Sequence, residues 1–256
     1  MSGKARIMVV DDELPVCRSV SKALEREDYM VEMALSAEEA LKKSKESAYD
    51  VIITDLMMPG LSGMDLLKVI QGEAPDTRVI MITGYPSIAT AVEALKRGAF
   101  DYIPKPFTPD ELRSLVSRAL ASRLYHGKDE IQPPPGIYCI PENSWMRMDE
   151  KHDAVIGIHD AFLRAIKTIT GIELPKPGDM RYQGEACIRV ADAEGHIHRV
   201  WTPLSGKVIA TNTEVESDYS ILSKDPYGAG WLILIAPTNL SAELPGLVKA
   251  RTQATP

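Results

Sequence analysis

Val51-Ile52-Ile53-Thr54-Asp55-Leu56-Met57-Met58-Pro59-Gly60 decides the architecture of the first half of the chain. Four strand-forming residues in a row, stopped by an acid and then by a Pro-Gly turn, describe a short strand buried on both faces inside a parallel sheet. Working outward, Ile7 to Val10, Val79 to Thr83 and Tyr102 to Ile103 read the same way, with a weaker strand at Met30 to Ala34. Helical patterns separate them: Val16 to Glu27, Ala37 to Lys45 behind a Ser36 N-cap with Glu39 three residues on, Gly63 to Ile70, Ile88 to Lys96 and Asp110 to Ala121. Five βα units in succession predict an α/β doubly wound, five-stranded parallel sheet with helices on both faces.

Size and composition frame this reading. A chain of 256 residues fits two domains, at ~100 to 200 residues each. Residues 1–121 carry 15 basic and 19 acidic side chains and residues 122–256 carry 14 and 17, so neither half has the basic surplus that nucleic-acid binding draws on. Cys17, Cys139 and Cys187 are far apart, which excludes a disulfide scaffold and a Cys-rich zinc module and leaves partly buried thiols. Met1 to Val10 does not read as a signal peptide, and the best apolar run, Trp231 to Ala236, is strand-sized. No nucleic acid and no membrane is expected as a partner, and the cytoplasm is the simplest compartment.

The chemistry of the first domain sits at strand ends. Asp11 and Asp12 follow the first strand and Asp55 follows the third, and in an open parallel sheet these ends share the edge where ligands bind. Three carboxylates there call for a cation, and an oxygen-rich site beside a phosphate suits Mg²⁺. Thr83 and Lys105 add a hydroxyl and an ammonium at the same edge, which completes the parts of a phosphoryl-transfer site.

Residues 5–121 resemble the receiver domain of two-component response regulators, a flavodoxin-like fold. The resemblance rests on Val9-Val10-Asp11-Asp12-Glu13, Thr54-Asp55-Leu56-Met57-Met58-Pro59-Gly60, Met81-Ile82-Thr83-Gly84 and Asp101-Tyr102-Ile103-Pro104-Lys105-Pro106-Phe107. It implies that Asp55 is the phosphoacceptor, and that Mg²⁺ is held by Asp12, the Asp55 carboxylate and the Met57 backbone carbonyl, with Asp11 acting through a water. It also implies that Thr83 and Tyr102 are the switch pair, that Lys105 meets the phosphoryl group, and that the Lys105-Pro106 peptide is cis, aiming the ammonium at Asp55.

Residues 122–136, with Pro133-Pro134-Pro135-Gly136, read as a linker. The second domain, 137–240, is expected to be mostly β and of barrel-sandwich hybrid type, with strands at Ala186 to Val190, Ile197 to Trp201, Lys207 to Ala210 and Trp231 to Ile235 and one helix at Ala161 to Ile169. Residues 241–256 read as a short terminal helix or a tail. Residues 143–240 resemble the H protein of the glycine cleavage system. The features are Trp145-Met146-Arg147, the Ala154-Val155-Ile156-Gly157-Ile158 strand with Asp160, Glu173-Leu174-Pro175 with Gly178, Thr202-Pro203-Leu204-Ser205-Gly206 with Asn212, and Asp225-Pro226-Tyr227-Gly228-Ala229-Gly230-Trp231-Leu232-Ile233. That family carries lipoate on a hairpin lysine, and the family spacing, eleven residues before Gly206, lands on Gly195. No lysine lies between Lys176 and Lys207, so no lipoate is expected.

Ala193-Glu194-Gly195-His196 still reads as a tight turn, with Gly195 free to take positive φ. His196 and His198 share one face at i, i+2, and Asp192 and Glu194 are further candidate ligands; a solvated polar hairpin is the reading adopted over a metal site. Trp145, Trp201 and Trp231 are read as packing residues.

The function read from the sequence is a response regulator, not an enzyme beyond its own phosphoryl transfer and dephosphorylation. A sensor histidine kinase is its upstream partner, and a lipoate-free H-like domain relays to an unknown output protein. One alternative is a lipoyl or acyl carrier regulated by the receiver, opposed by the missing lysine. Another is a DNA-binding transcriptional regulator, opposed by the acidic, β-rich second half.

Overall fold

A computed structural model describes the chain except residues 1–3, 26–28, 85–87, 126–130, 167 and 251–256. The chain divides into two compact units, Met1–Leu124 and Tyr125–Pro256.

The first unit alternates strand and helix throughout: β1 (Ala5–Val10), α1 (Leu14–Leu24), β2 (Tyr29–Ala34), α2 (Ala37–Glu46), β3 (Val51–Asp55), α3 (Gly63–Glu73), β4 (Arg78–Thr83), α4 (Ile88–Lys96), β5 (Asp101–Pro104) and α5 (Pro109–Tyr125). All strand pairings are parallel and the order is β2-β1-β3-β4-β5. Alternation of side chains along each strand feeds two cores. Met8, Val10, Ile52, Val79 and Met81 pack in one, with α2, α3 and α4 residues such as Ala40, Leu66 and Ala94. Ile7, Val9, Val51, Ile53, Ile80 and Ile82 pack in the other, with Cys17, Val20, Leu112 and Val116 of α1 and α5.

Local signals account for the helix ends. Ser36 accepts the Glu39 N–H (3.1 Å) while Glu39 accepts the Leu35 N–H (2.9 Å), and Ser62 with Asp65 forms a full capping box on α3. Helix α1 starts at Leu14 rather than Val16, because Pro15 fits the first turn, where its missing N–H has no intrahelical partner to lose. Residues 26 and 27 of the helix expected there lie outside the described residues. Helix α5 runs to Tyr125, past the expected linker start at Ser122. It is tied to β5 by a buried ion pair between Arg118 and Asp101, and the Arg118 guanidinium lies 4.7 Å from the Phe100 ring centre. The middle of the expected linker, 126–130, and the end of the expected tail, 251–256, fall outside the described residues.

The second unit is mostly β: β6 (Tyr138–Ile140), β7 (Ser144–Met148), β8 (Ala154–Ile158), α6 (Asp160–Arg164), β9 (Ile169–Glu173), β10 (Met180–Arg181), β11 (Ala186–Asp192), β12 (Ile197–Trp201), β13 (Gly206–Thr211), α7 (Thr213–Ser217), α8 (Ser220–Lys224), β14 (Trp231–Pro237), α9 (Leu240–Glu243) and β15 (Val248–Lys249). Seven strands form one sheet, β10-β13-β14-β8-β7-β6-β15, and three form another, β12-β11-β9. Trp145 is fully buried, donates its indole N–H to the Pro226 carbonyl (2.9 Å), and lies over Gly157, where any Cβ would stand 2.6 Å from its ring. Asn143 and Ser144 bind the backbone of Trp201, joining the two sheets (2.8 and 2.7 Å). Asn212 donates to the Ala229 and Trp231 carbonyls (2.9 and 2.8 Å) and caps α7.

Two expectations are corrected here. The helix expected over Ala161 to Ile169 ends at Arg164, and Ile169–Glu173 is a strand paired with β11, because Ile169, Thr170 and Ile172 are β-branched. The stretch read as a tail from 241 includes β15, paired with β6.

Helix α6 is capped by His159, whose Nδ1 accepts the Ala161 N–H (3.3 Å) and whose ring stands edge-on to Tyr227. Burial pushes the imidazole down from about 6.5 to about 4, against the raising effect of the Asp160 carboxylate. Between those values the unfolded chain takes up a proton that the folded chain refuses, so stability falls as pH falls through that window and is unaffected by this group above it. His159→Asn keeps a capping acceptor and removes the titration. Denaturant melts at about pH 7.5 and 4.5 should show ~2–3 kcal/mol less acid destabilisation in the variant than in the parent. Tryptophan fluorescence reads this unit alone, since all three tryptophans lie in it. Equal acid destabilisation in the two proteins would assign the effect to other groups.

Candidate functional site

The strand order of the first unit reverses between β1 and β3, and a crevice opens at the carboxyl ends of those strands. Asp11 follows β1 and Asp55 ends β3, and both are buried. The Lys105 ammonium, one residue past β5, lies 2.8 Å from Asp11 Oδ2 and 2.7 Å from Asp55 Oδ1. The second oxygen of each acid is taken by backbone: Asp11 Oδ1 accepts the Glu13 N–H (2.9 Å) and Asp55 Oδ2 the Met57 N–H (2.7 Å). Burial alone would lower the Lys105 pKa, but the hydrogen bonds and charges of Asp11 and Asp55 outweigh it and hold the ammonium above its ordinary value.

The other residues singled out in the sequence lie on the same strands or just past their ends. Asp12 and Met57 are exposed. Thr83, the last residue of β4, is fully buried, and its carbonyl accepts the Lys105 N–H (2.7 Å). Tyr102 belongs to the core with Met81, Ala91 and Ala94, and burial pushes its phenol up to about 12. The Lys105-Pro106 peptide is cis.

The donor set tests for a hard cation. Asp11, Asp12 and Asp55 supply three carboxylates against one ammonium, and each bonded oxygen of Asp11 and Asp55 keeps a second lone pair. An oxygen-only site with two surplus negative charges fits Mg²⁺.

Residues 7–117 match the family described as Response regulator receiver domain. Across 147 residues the chain is 35% identical to the Acid tolerance regulatory protein ActR of Rhizobium meliloti (strain 1021), a match covering 57% of this chain and 72% of that protein. The chain belongs to the response regulator family. This response regulator is also 38% identical to the Transcriptional regulatory protein ResD of Bacillus subtilis (strain 168), over 49% of this chain and 53% of that one. A receiver domain structure from Clostridium thermocellum covers 45% of this chain and 94% of its own at 38% identity and TM-score 0.44. Residues 137–255 match the family described as Glycine cleavage H-protein. The glycine cleavage system H protein of Mycobacterium marinum covers 46% of this chain and 92% of its own at 24% identity and TM-score 0.41. Among the described residues, no helix of this response regulator is long and apolar enough to cross a membrane.

In the second unit, Gly195 sits in the β11–β12 turn at φ +83°, in the left-handed region, and its N–H donates to the Asp192 carbonyl (3.1 Å). The hairpin tip, Ala193 to Gly195, is exposed, but the acid and one of the histidines that flank it are not. Asp192 and His198 are buried, 8% and 4% exposed, while His196 is partly exposed and Glu194 exposed. Alternation gave the shared histidine face correctly, but could not show that this face turns inward, against Phe162.

Sequence reasoning missed Gly63. It opens α3 directly against β3, and a Cβ there would stand 2.1 Å from the Asp55 carbonyl oxygen, so only glycine lets the helix start close enough to fix the loop carrying Met57. Its signal in the sequence was a glycine at a helix start, one residue after a capping serine. At Gly72, on the exposed side of the same helix, an added Cβ would meet nothing within 4 Å. The two glycines should therefore respond with opposite sign: Gly72→Ala is expected to stabilise the first unit by ~0.5–1 kcal/mol. Gly63→Ala is expected to destabilise it by ~1–3 kcal/mol, both read from denaturant melts followed by far-ultraviolet circular dichroism. A neutral Gly63→Ala would show that the strand-to-helix loop yields freely.

Proposed function

We propose that this response regulator is phosphorylated on Asp55 by a sensor histidine kinase and relays the signal through its H-like domain without lipoate. The observation that carries the first part is the Lys105 ammonium bridging Asp11 and Asp55 at the β1/β3 crevice. In the transfer, an oxygen of the Asp55 carboxylate forms the new bond to phosphorus as the bond from phosphorus to the donor's imidazole nitrogen breaks. The electron pair leaves with that nitrogen, which takes up a proton. Asp12, Asp55, the Met57 carbonyl and, through a water, Asp11 are the residues that would hold Mg²⁺, which supplies charge neutralisation between the acids and the incoming phosphoryl oxygens. Lys105 is placed to hold the same oxygens, and the Met57 N–H keeps the acceptor carboxylate oriented.

Thr83 and Tyr102 are the proposed switch pair. The Thr83 hydroxyl turns toward the phosphoryl group, and Tyr102, already in the core beside α4 in this structure, is held there, so that the charge selects one of two arrangements of α4 and β5. The H-like unit keeps the carrier scaffold while Gly195 stands where the carrier lysine is expected, and this supports a role in binding an output protein rather than carrying an acyl or aminomethyl group.

Acetyl phosphate with Mg²⁺ should label the chain at one residue, and Asp55→Asn should abolish labelling. In this reaction acetate is the leaving group. Full labelling of Asp55→Asn, or labelling indifferent to a chelator, contradicts the assignment. Amide exchange across α4 and β5 should slow when beryllofluoride is added with Mg²⁺; identical exchange with and without it contradicts the switch.

A further inference from the structure

The described residues hold a second converging set of ligands, in the second unit and independent of the phosphoryl-transfer reading. Asp192 ends β11, and the turn Ala193 to His196 brings the chain back so that His198 of β12 pairs with Val190 of β11. The two oxygens of Asp192 are divided between two tasks. Oδ1 accepts the backbone N–H groups of Glu194 and His196, both at 2.9 Å, and this fixes the carboxylate in the turn. Oδ2 faces two imidazoles, His196 Nδ1 at 3.2 Å and His198 Nε2 at 2.9 Å. The two rings are 6.1 Å apart and inclined at 69°, so they reach the same oxygen from different directions and through different nitrogens. The three ligand atoms all lie within 4.8 Å of one another.

We propose that Asp192, His196 and His198 form a binding site for a divalent transition ion, with zinc its preferred occupant. Imidazole nitrogen with one carboxylate oxygen is a borderline donor set, which selects zinc-like ions over Mg²⁺ or Ca²⁺. In a tetrahedral zinc site, ligand atoms stand about 3.3 Å apart, and the two separations from Oδ2 are already close to that. Two of the three ligands are buried and pre-positioned by the hairpin, so little ordering is left to binding. Glu194, exposed, has Oε2 3.7 Å from His196 Nδ1 and would supply either a fourth ligand or the partner of a bound water. A network of hydrogen bonds alone needs each imidazole only to donate one N–H to Asp192, and it requires no affinity for metal; this is the alternative the test must separate.

The full chain, stripped with a chelator and returned to excess Mg²⁺ to fill the oxygen site of the receiver, is titrated with Zn²⁺ against a chromogenic competitor. One equivalent should bind, and His196→Gln, at the accessible edge of the turn, should weaken it by roughly tenfold or more. Asp192→Asn should do the same, while Asp55→Asn should leave it unchanged. Co²⁺ in place of Zn²⁺ should give visible absorption bands that disappear in His196→Gln. Absence of stoichiometric binding, binding unchanged in His196→Gln, or binding lost in Asp55→Asn overturns the proposal. His196→Gln decides the matter even if Asp192→Asn fails to fold, since His196 is only partly buried.

Discussion

The Lys105 ammonium is the interaction on which the first unit depends. A crevice at a topological switch point gathers acids from two different strands, and without a counter-charge Asp11 and Asp55 would repel each other inside a desolvated edge. Lys105 comes from a third strand end, so the ion pairs also fix β5 against β1 and β3 where the sheet has no further hydrogen bonds to offer. The buried Arg118–Asp101 pair repeats the device from α5. Removing one member of such a pair leaves the other as an uncompensated buried charge, a cost of ~3–5 kcal/mol, which links the integrity of the fold to the integrity of the site.

The second unit is organised by packing rather than charge. Trp145 over Gly157 sets the closeness of β7 and β8, and the turn from Asp225 to Gly230 is drawn tight by the Asp225 carboxylate accepting the Ala229 N–H at 2.7 Å. Gly228 and Gly230 admit that approach, since a Cβ at either would fall within 2.7 Å of Asp225 atoms. These contacts give a physical reason for Asp225, Gly228 and Gly230 in that run.

How much of this was legible in the sequence follows from the range of the forces involved. Strands β1, β3 and β4 announce themselves because burial on both faces demands uninterrupted apolar runs, and the acids after them mark the edge. The Ser36 cap is local and was readable. Gly63 was not, because the demand for it comes from the Asp55 carbonyl oxygen, eight residues away in sequence and on another element. Strands β10 and β15, two residues each, are shorter than any period that could reveal them, and exist through their partners. His198 illustrates a further limit: alternation gives the face a residue is on, while only the second sheet layer and Phe162 decide whether that face is wet.

Asp55 and Asp192 use their two oxygens in the same divided way, one held by the backbone and the other presented to a side-chain cation or imidazole. The division makes stem length matter as much as charge. A glutamate at either position brings the same negative charge on an arm one methylene longer, and to reach its side-chain partner it must abandon the N–H that orients it. Charge-preserving replacement is therefore not conservative at these two places, and the two properties that a short acid combines, an anchor and a ligand, are separable by design.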